Sequence, residues 1–180
     1  GEQVMHYWWA LILLGIGSNL SSSFGDRYKN IDLAVSSLRE NGIEIKNKSS
    51  YYETPSYPYK ENPRFINIIV SIETKLPPVD LASVLMFIEE SLERVRKEKN
   101  APRTCDIDII DYESKIIDFK YKNQDFAVPH KKIMERNFVL IPIKEIEPDW
   151  IHPEYKHHID TLIANLSKED KKSILKISKS

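Results

Sequence analysis

A chain of 180 residues, 41% apolar and 29% charged, is long enough for one globular domain with a sizeable core. Its formal net charge of −1 argues against a broad nucleic-acid-binding surface, which needs a basic excess on one face. A single cysteine, Cys105, excludes an intramolecular disulfide framework and suits a reducing compartment.

The first nine residues, which begin at Gly1 rather than Met, read as an N-terminal extension or a remnant of cloning or processing. The apolar stretch from Tyr7 to Ile16 is too short to span a bilayer and lacks a basic n-region and a small-residue cleavage site, so a cytoplasmic protein is expected. Residues 10–16 predict a first strand closed by the turn signature Gly17-Ser18-Asn19. Ile31, Ala34, Val35 and Leu38 recur at helical spacing, predicting a helix over 28–40 stopped by Asn41-Gly42. A second strand is expected over 43–52. Residues 53–64 hold Pro55, Pro58 and Pro63 among aromatic and polar side chains, an irregular surface loop of a length that tends to be functional.

Residues 65–73 alternate cleanly, with Ile66, Ile68, Val70 and Ile72 on one face and Phe65, Asn67, Ile69 and Ser71 on the other. Pro77-Pro78 opens a second helix whose stripe is Leu81, Val84, Leu85, Ile88, Leu92 and Val95. A fourth strand is predicted over 105–112 and a third short helix within 131–143; Pro148 and Pro153 bound a loop. The Lys/Ser-rich tail, 167–180, reads as frayed or marginally helical. The order strand-helix-strand-strand-helix-strand is that of the ferredoxin-like α+β fold: a mainly antiparallel sheet, helices on one face, and C-terminal helical additions. A single domain over 10–166 is expected, with the second sheet face left free for a ligand.

The segment 94–110 runs from basic residues straight into Asp106 and Asp108. Arg and Lys suit phosphate oxygens, whereas two carboxylates on one surface repel each other and favour a hard divalent cation such as Mg2+. In a strand, Asp106 and Asp108 share one face while Ile107 and Ile109 point to the core. An isolated Asp-x-Asp is more often the solvent face of an edge strand, and the preceding arginines shift the balance towards a metal-nucleotide site. Neither Gly-x-x-x-x-Gly-Lys nor Gly-x-Gly-x-x-Gly occurs, so phosphates must be held another way. Cys105 reads as a buried strand cysteine rather than a reactive thiol.

Taken in order, Gly17-Ser18-Asn19-Leu20, Thr54-Pro55, Phe65-Ile66-Asn67, Glu89, Arg94-Val95-Arg96, Pro102-Arg103-Thr104-Cys105-Asp106-Ile107-Asp108, Val128-Pro129-His130 and Arg136-Asn137-Phe138-Val139 resemble the hydroxymethyl-dihydropterin pyrophosphokinases of folate biosynthesis. The resemblance implies a ferredoxin-like fold and transfer of pyrophosphate from ATP to the hydroxymethyl group of a reduced pterin, with release of AMP. It implies two Mg2+ ions on Asp106 and Asp108. Arg94, Arg96 and Arg103 would contact the phosphates, the last two from a loop that closes over ATP, and Glu89, Ile109, His130 and Arg136 would belong to the nucleotide site. Thr54, Pro55 and Asn67 would meet the amide-like edge of the pterin, between Phe65 and Phe138. Arg94, Arg103, Asp106 and Asp108 are the expected catalytic residues, with Asp108 the candidate acceptor of the hydroxyl proton. The expected partners are ATP and reduced pterin, without nucleic acid or membrane, on a monomer.

Met86, Glu93, Asn100, Asp125 and Ala127 depart from the family pattern. Glu89 is open to a second reading as an ordinary solvated acid. Two other functions compete: a metal-dependent nuclease or nucleotidyl transferase, which also fits two aspartates and arginines, and a non-catalytic ferredoxin-like RNA-binding module, for which no RNP-type strand is present.

Overall fold

A computed structural model describes residues 8–95 and 100–178. The first strand, β1 (Ile12–Ser18), carries Gly17 and Ser18 inside the ladder rather than in a turn. It pairs antiparallel with β4 (Phe65–Glu73) on one side and β5 (Asp106–Tyr112) on the other. Beyond β4 lie β2 (Glu44–Lys48) and β3 (Tyr51–Thr54), both antiparallel to it. The single strand expected over 43–52 is broken at Ser49. There Ser49 N donates to Ile69 O at 2.9 Å and Ser49 Oγ accepts from Ile69 N at 2.9 Å, so a side chain substitutes for a ladder carbonyl.

Two helices cover one face. Asp26 caps α1 (Arg27–Glu40) by accepting from Lys29 N at 2.9 Å, and Asn41 with Gly42, at φ +80°, ends it. Pro77-Pro78 starts α2 (Pro78–Ser91). Ile31, Val35 and Leu38 of α1 and Leu81, Leu85 and Ile88 of α2 pack on the alternating Ile, Leu and Val side chains of β1 and β4. That is the face the period-2 pattern assigned to the core. Val95, expected on the α2 stripe, is instead exposed, because the chain leaves the helix at Leu92 and Glu93 adopts φ +70°.

The opposite face is not free along its whole length, which corrects the sequence expectation. Leu13, Ile69 and Ile110 are buried there beneath α3 (Asn137–Ile146) and α4 (Ile159–Ala164), with fully buried Trp150 between. Among the described residues, the end of the face near Gly17, Asn67 and Asp106 lies outside this second core. α3 starts later than expected, because Ile133–Glu135 forms a separate 3-10 turn that buries Ile133.

A hairpin and an ordered tail complete the chain. β6 (Ile117–Tyr121) and β7 (Gln124–Val128) form a hairpin whose turn places Lys122 and Asn123 at φ +50° and +63°, with Phe119 stacked on Phe126 at 4.9 Å. The tail from Ser167 is ordered rather than frayed. Ser167 caps α5 (Lys168–Ser173), and β8 (Leu175–Ile177) pairs with β3 to complete a six-stranded sheet. No helix among the described residues is long and apolar enough to cross a membrane.

Candidate active site

The register of β4, β1 and β5 builds a trough at one side of the sheet. Gly17 lies opposite Asn67 on one side and Asp106 on the other, while Gly15 lies opposite Ile69 and Asp108. Side chains on this face therefore stand on the flanking strands, and the middle strand contributes a floor of two glycines. At Gly17 the floor must stay bare: a Cβ there would sit 2.8 Å from Asn67 Oδ1. The sequence reading put Gly17 in a turn and passed over Gly15, because the meaning of the Gly15-x-Gly17 spacing depends on which strands flank it.

One wall carries the aspartates. Asp106 receives Arg94 Nη1 at Oδ1 and Arg103 Nη1 at Oδ2, each at 2.9 Å. Burial alone would push the Asp106 carboxyl up, but Arg103 and Arg94 offset this and hold it below its ordinary value. Asp108 moves the other way, up to about 7, through desolvation first and the Asp106 carboxylate second. Its outer edge still faces solvent, so the upward direction rests chiefly on the like-charged neighbour.

Glu89 is not a solvated acid: it is 2% exposed, at the C-terminal end of α2. It accepts from Ile107 N at 2.8 Å and from Arg94 Nη1, bracing the helix against the strand backbone between the two aspartates. Arg94 also donates to Cys105 O at 3.3 Å. Burial, then the Glu89 charge, push the Cys105 thiol well up, in keeping with a buried strand cysteine and not a nucleophile. Arg96 lies outside the described residues.

Beyond the aspartates, Met86, Ile109, Gln124 and Phe126 line a hollow continuous with the Asp106–Asp108 wall. Phe126 also borders a wider, open hollow with Phe119, Ala127, His130 and Lys132. His130 Nε2 lies 3.4 Å from Arg136 Nη2, and its Nδ1 accepts from Lys132 N at 3.0 Å. Burial, together with the Arg136 and Lys132 charges, lowers the His130 pKa, so the ring is neutral at pH 7. Gln124 and Phe126 escaped the sequence reading because they sit on the unforeseen hairpin.

The other wall carries Asn67, whose Nδ2 donates to Thr54 Oγ1 at 3.0 Å; both residues are buried. Phe65 stands beside Gly17 at the start of β4, and Pro55 follows Thr54 at the mouth of the 55–64 loop. Phe138 opens α3 with the Arg136 guanidinium 5.6 Å above its ring. The site thus combines an amide edge, a glycine floor, paired carboxylates and two arginines, which suits a flat polar ring at one end and a polyphosphate at the other.

Residues 13–148 match the profile of the 7,8-dihydro-6-hydroxymethylpterin-pyrophosphokinase family. The Folic acid synthesis protein fol1 of Schizosaccharomyces pombe is 36% identical over 145 residues, 80% of this chain but 19% of that protein. The chain thus spans about a fifth of this longer relative. A 2-amino-4-hydroxy-6-hydroxymethyldihydropteridine pyrophosphokinase of Methylorubrum extorquens is 36% identical over 139 residues, 77% of this chain and 83% of that one. A crystal structure of Plasmodium falciparum HPPK-DHPS with pterin and p-hydroxybenzoate shares the fold, with TM-score 0.70 at 15% identity over 93% of this chain and 47% of that one.

Proposed function

The chain belongs to the 7,8-dihydro-6-hydroxymethylpterin-pyrophosphokinase family, and from that premise we propose that it transfers the terminal pyrophosphoryl group of ATP to 6-hydroxymethyl-7,8-dihydropterin. The hydroxymethyl oxygen attacks the β-phosphorus, the bond from that phosphorus to the bridging oxygen of AMP breaks, and AMP leaves. The observation that carries the proposal is the glycine-floored trough, with Asn67 on one wall and Asp106 and Asp108 on the other.

Each residue has a task in this reading. Asn67 offers a donor and an acceptor to the amide-like pterin edge, with Thr54 and Pro55 beside it, and Phe65 and Phe138 flank the ring. Arg94 and Arg103 turn from Asp106 to the phosphates as these arrive, and Arg96 joins them. Ile109, His130 and Arg136 line the nucleotide end, and Glu89 keeps Arg94 and β5 in place. Asp108 accepts the hydroxyl proton. Such catalysis is mainly positioning and charge stabilisation.

The donor set fits Mg2+, since Asp106 and Asp108 put two hard carboxylates on one face of β5. Asp106 and Asp108 would hold two such ions, whose chemistry is to neutralise the phosphates and polarise the phosphorus that is attacked. In this reading the protein is a cytoplasmic monomer acting on ATP and a reduced pterin, with no nucleic acid or membrane involved.

A coupled assay tests the reaction. AMP formation from ATP and Mg2+ that depends on 6-hydroxymethyl-7,8-dihydropterin supports it. Pterin-independent turnover together with cleavage of DNA or RNA would overturn it in favour of a nuclease.

A further inference from the structure

The segment Gly17-Ser18-Asn19-Leu20 contributes its glycine to the floor of the site, which leaves Asn19 to be explained. Asn19 follows the end of β1 and is 2% exposed, unusual for an asparagine in a loop. Its backbone N donates to Arg103 O at 3.0 Å, and its Oδ1 accepts from Arg103 N at 2.7 Å. These two bonds close a ring that fixes the Arg103 backbone from both sides. Its Nδ2 donates to Pro63 O at 3.0 Å. One planar amide therefore joins two loops, 44 residues away on one side and 84 on the other.

We infer that Asn19 is a positioning residue that ties the phosphate-side segment 100–104 to the pterin-side segment 55–64, so that Arg103 and the pterin wall are set by one shared anchor. The inference rests on the proposed reaction for its functional half and on geometry alone for its structural half. Arg103 reaches Asp106 Oδ2 at 2.9 Å from the backbone that Asn19 holds, and Pro63 stands two residues before Phe65. A weaker strap runs in parallel, from Asn62 Nδ2 to Asn100 O at 3.5 Å. Only asparagine supplies one acceptor and one donor at this short reach. Aspartate keeps the acceptor for Arg103 N but turns an oxygen towards Pro63 O, and serine has one polar atom for two partners. Releasing a loop leaves one atom of the buried Asn19 amide without a partner, so the two loops share the cost of any opening.

Hydrogen exchange on the full chain reads the tether without substrate. Asn19→Ala should speed exchange about tenfold, the size of one lost hydrogen bond, in both 59–65 and 100–105, and leave 12–17 unchanged. Asn19→Asp should speed only 59–65. A double-mutant cycle then reads the catalytic half: Asn19→Ala should lower kcat about tenfold when Arg103 is present and less than about twofold in an Arg103→Ala background. Additive losses, faster exchange confined to one segment in Asn19→Ala, or uniform loss of protection across the sheet would each overturn the inference. If Asn19→Ala does not fold, the same two measurements on Asn19→Asp decide: loosening of 59–65 with raised pterin KM and nearly intact kcat supports it, and unchanged exchange refutes it. Absence of pterin-dependent AMP formation by the unsubstituted chain would refute the reaction and leave the exchange result to stand by itself.

Discussion

Replacing Gly17 with alanine tests the trough most directly. The new Cβ would lie 2.8 Å from Asn67 Oδ1 and 3.5 Å from Phe65 Cδ1, the first closer than such atoms ever approach. The backbone is not the obstacle, because Gly17 sits in a regular antiparallel ladder, where a Cβ otherwise helps. Asn67 must move, and it is not loose: its other amide atom is held by Thr54 Oγ1 at 3.0 Å in a buried setting. Swinging the amide away breaks that bond and misaligns the group proposed to face the pterin. One buried hydrogen bond left unmade is worth about 1–3 kcal/mol, or about 5- to 150-fold in affinity. Gly17→Ala should therefore weaken pterin binding within that range, leave affinity for a non-hydrolysable ATP analogue within about twofold, and lower Tm by about 2–12 °C, the same 1–3 kcal/mol at about 2–4 °C each. Calorimetry with each ligand and a melting curve supply the three numbers. Equal losses for both ligands, or undiminished pterin affinity, would refute the argument that a bare floor is needed to seat Asn67.

Asp106→Ala and Asp108→Ala should each nearly abolish AMP formation while circular dichroism stays native, and EDTA should do the same reversibly, restored by Mg2+; near-normal turnover in either variant would remove the metal assignment. Arg103→Ala should lower kcat strongly with little change in ATP or pterin affinity, and Arg103→Lys should recover only part of the rate, because a point charge lacks the forked contact of a guanidinium. Stopped-flow and equilibrium binding separate this from a ground-state anchor, which would lose ATP affinity in proportion to rate. Asp111 is fully buried, and that burial raises its pKa from 3.8 to about 6, against hydrogen bonds from Trp150 Nε1 and Ser114 N that favour the charged form. The folded chain thus binds this proton more tightly than the unfolded one. The contribution, about 3 kcal/mol, is complete below pH 3.8 and is lost as pH rises through about 6. Urea titrations across pH 3.5 to 7 on the unsubstituted chain and on Asp111→Asn should differ by this decline, since Asp108 and the carboxylates with lowered pKa act on both alike.

Much of the fold was legible because its signals are local. Apolar side chains at 3.6-residue and two-residue spacing, with Asn41-Gly42 and Pro77-Pro78 as punctuation, placed α1, α2 and the β1–β4–β5 core within a few residues. The Asp106-x-Asp108 spacing put both carboxylates on one face with no knowledge of neighbouring strands, since alternation is a property of the strand itself. The β6–β7 hairpin escaped because its turn is Lys122-Asn123 rather than a glycine pair, and β8 because three residues carry too little pattern and order only against the edge of β3. The covered second face followed the same logic: Leu13 and Ile69 are buried by α3 and α4, contacts that no local periodicity encodes. Within the site, the sequence supplied the chemical groups in their order along the chain. Only tertiary structure decided that Arg94 and Arg103 converge on Asp106, that Glu89 turns inward to brace Ile107, and that Asn67 faces Asp106 across Gly17. These relations join residues far apart in the chain through strand order and register, and both are settled by how whole strands and helices bury one another's apolar faces.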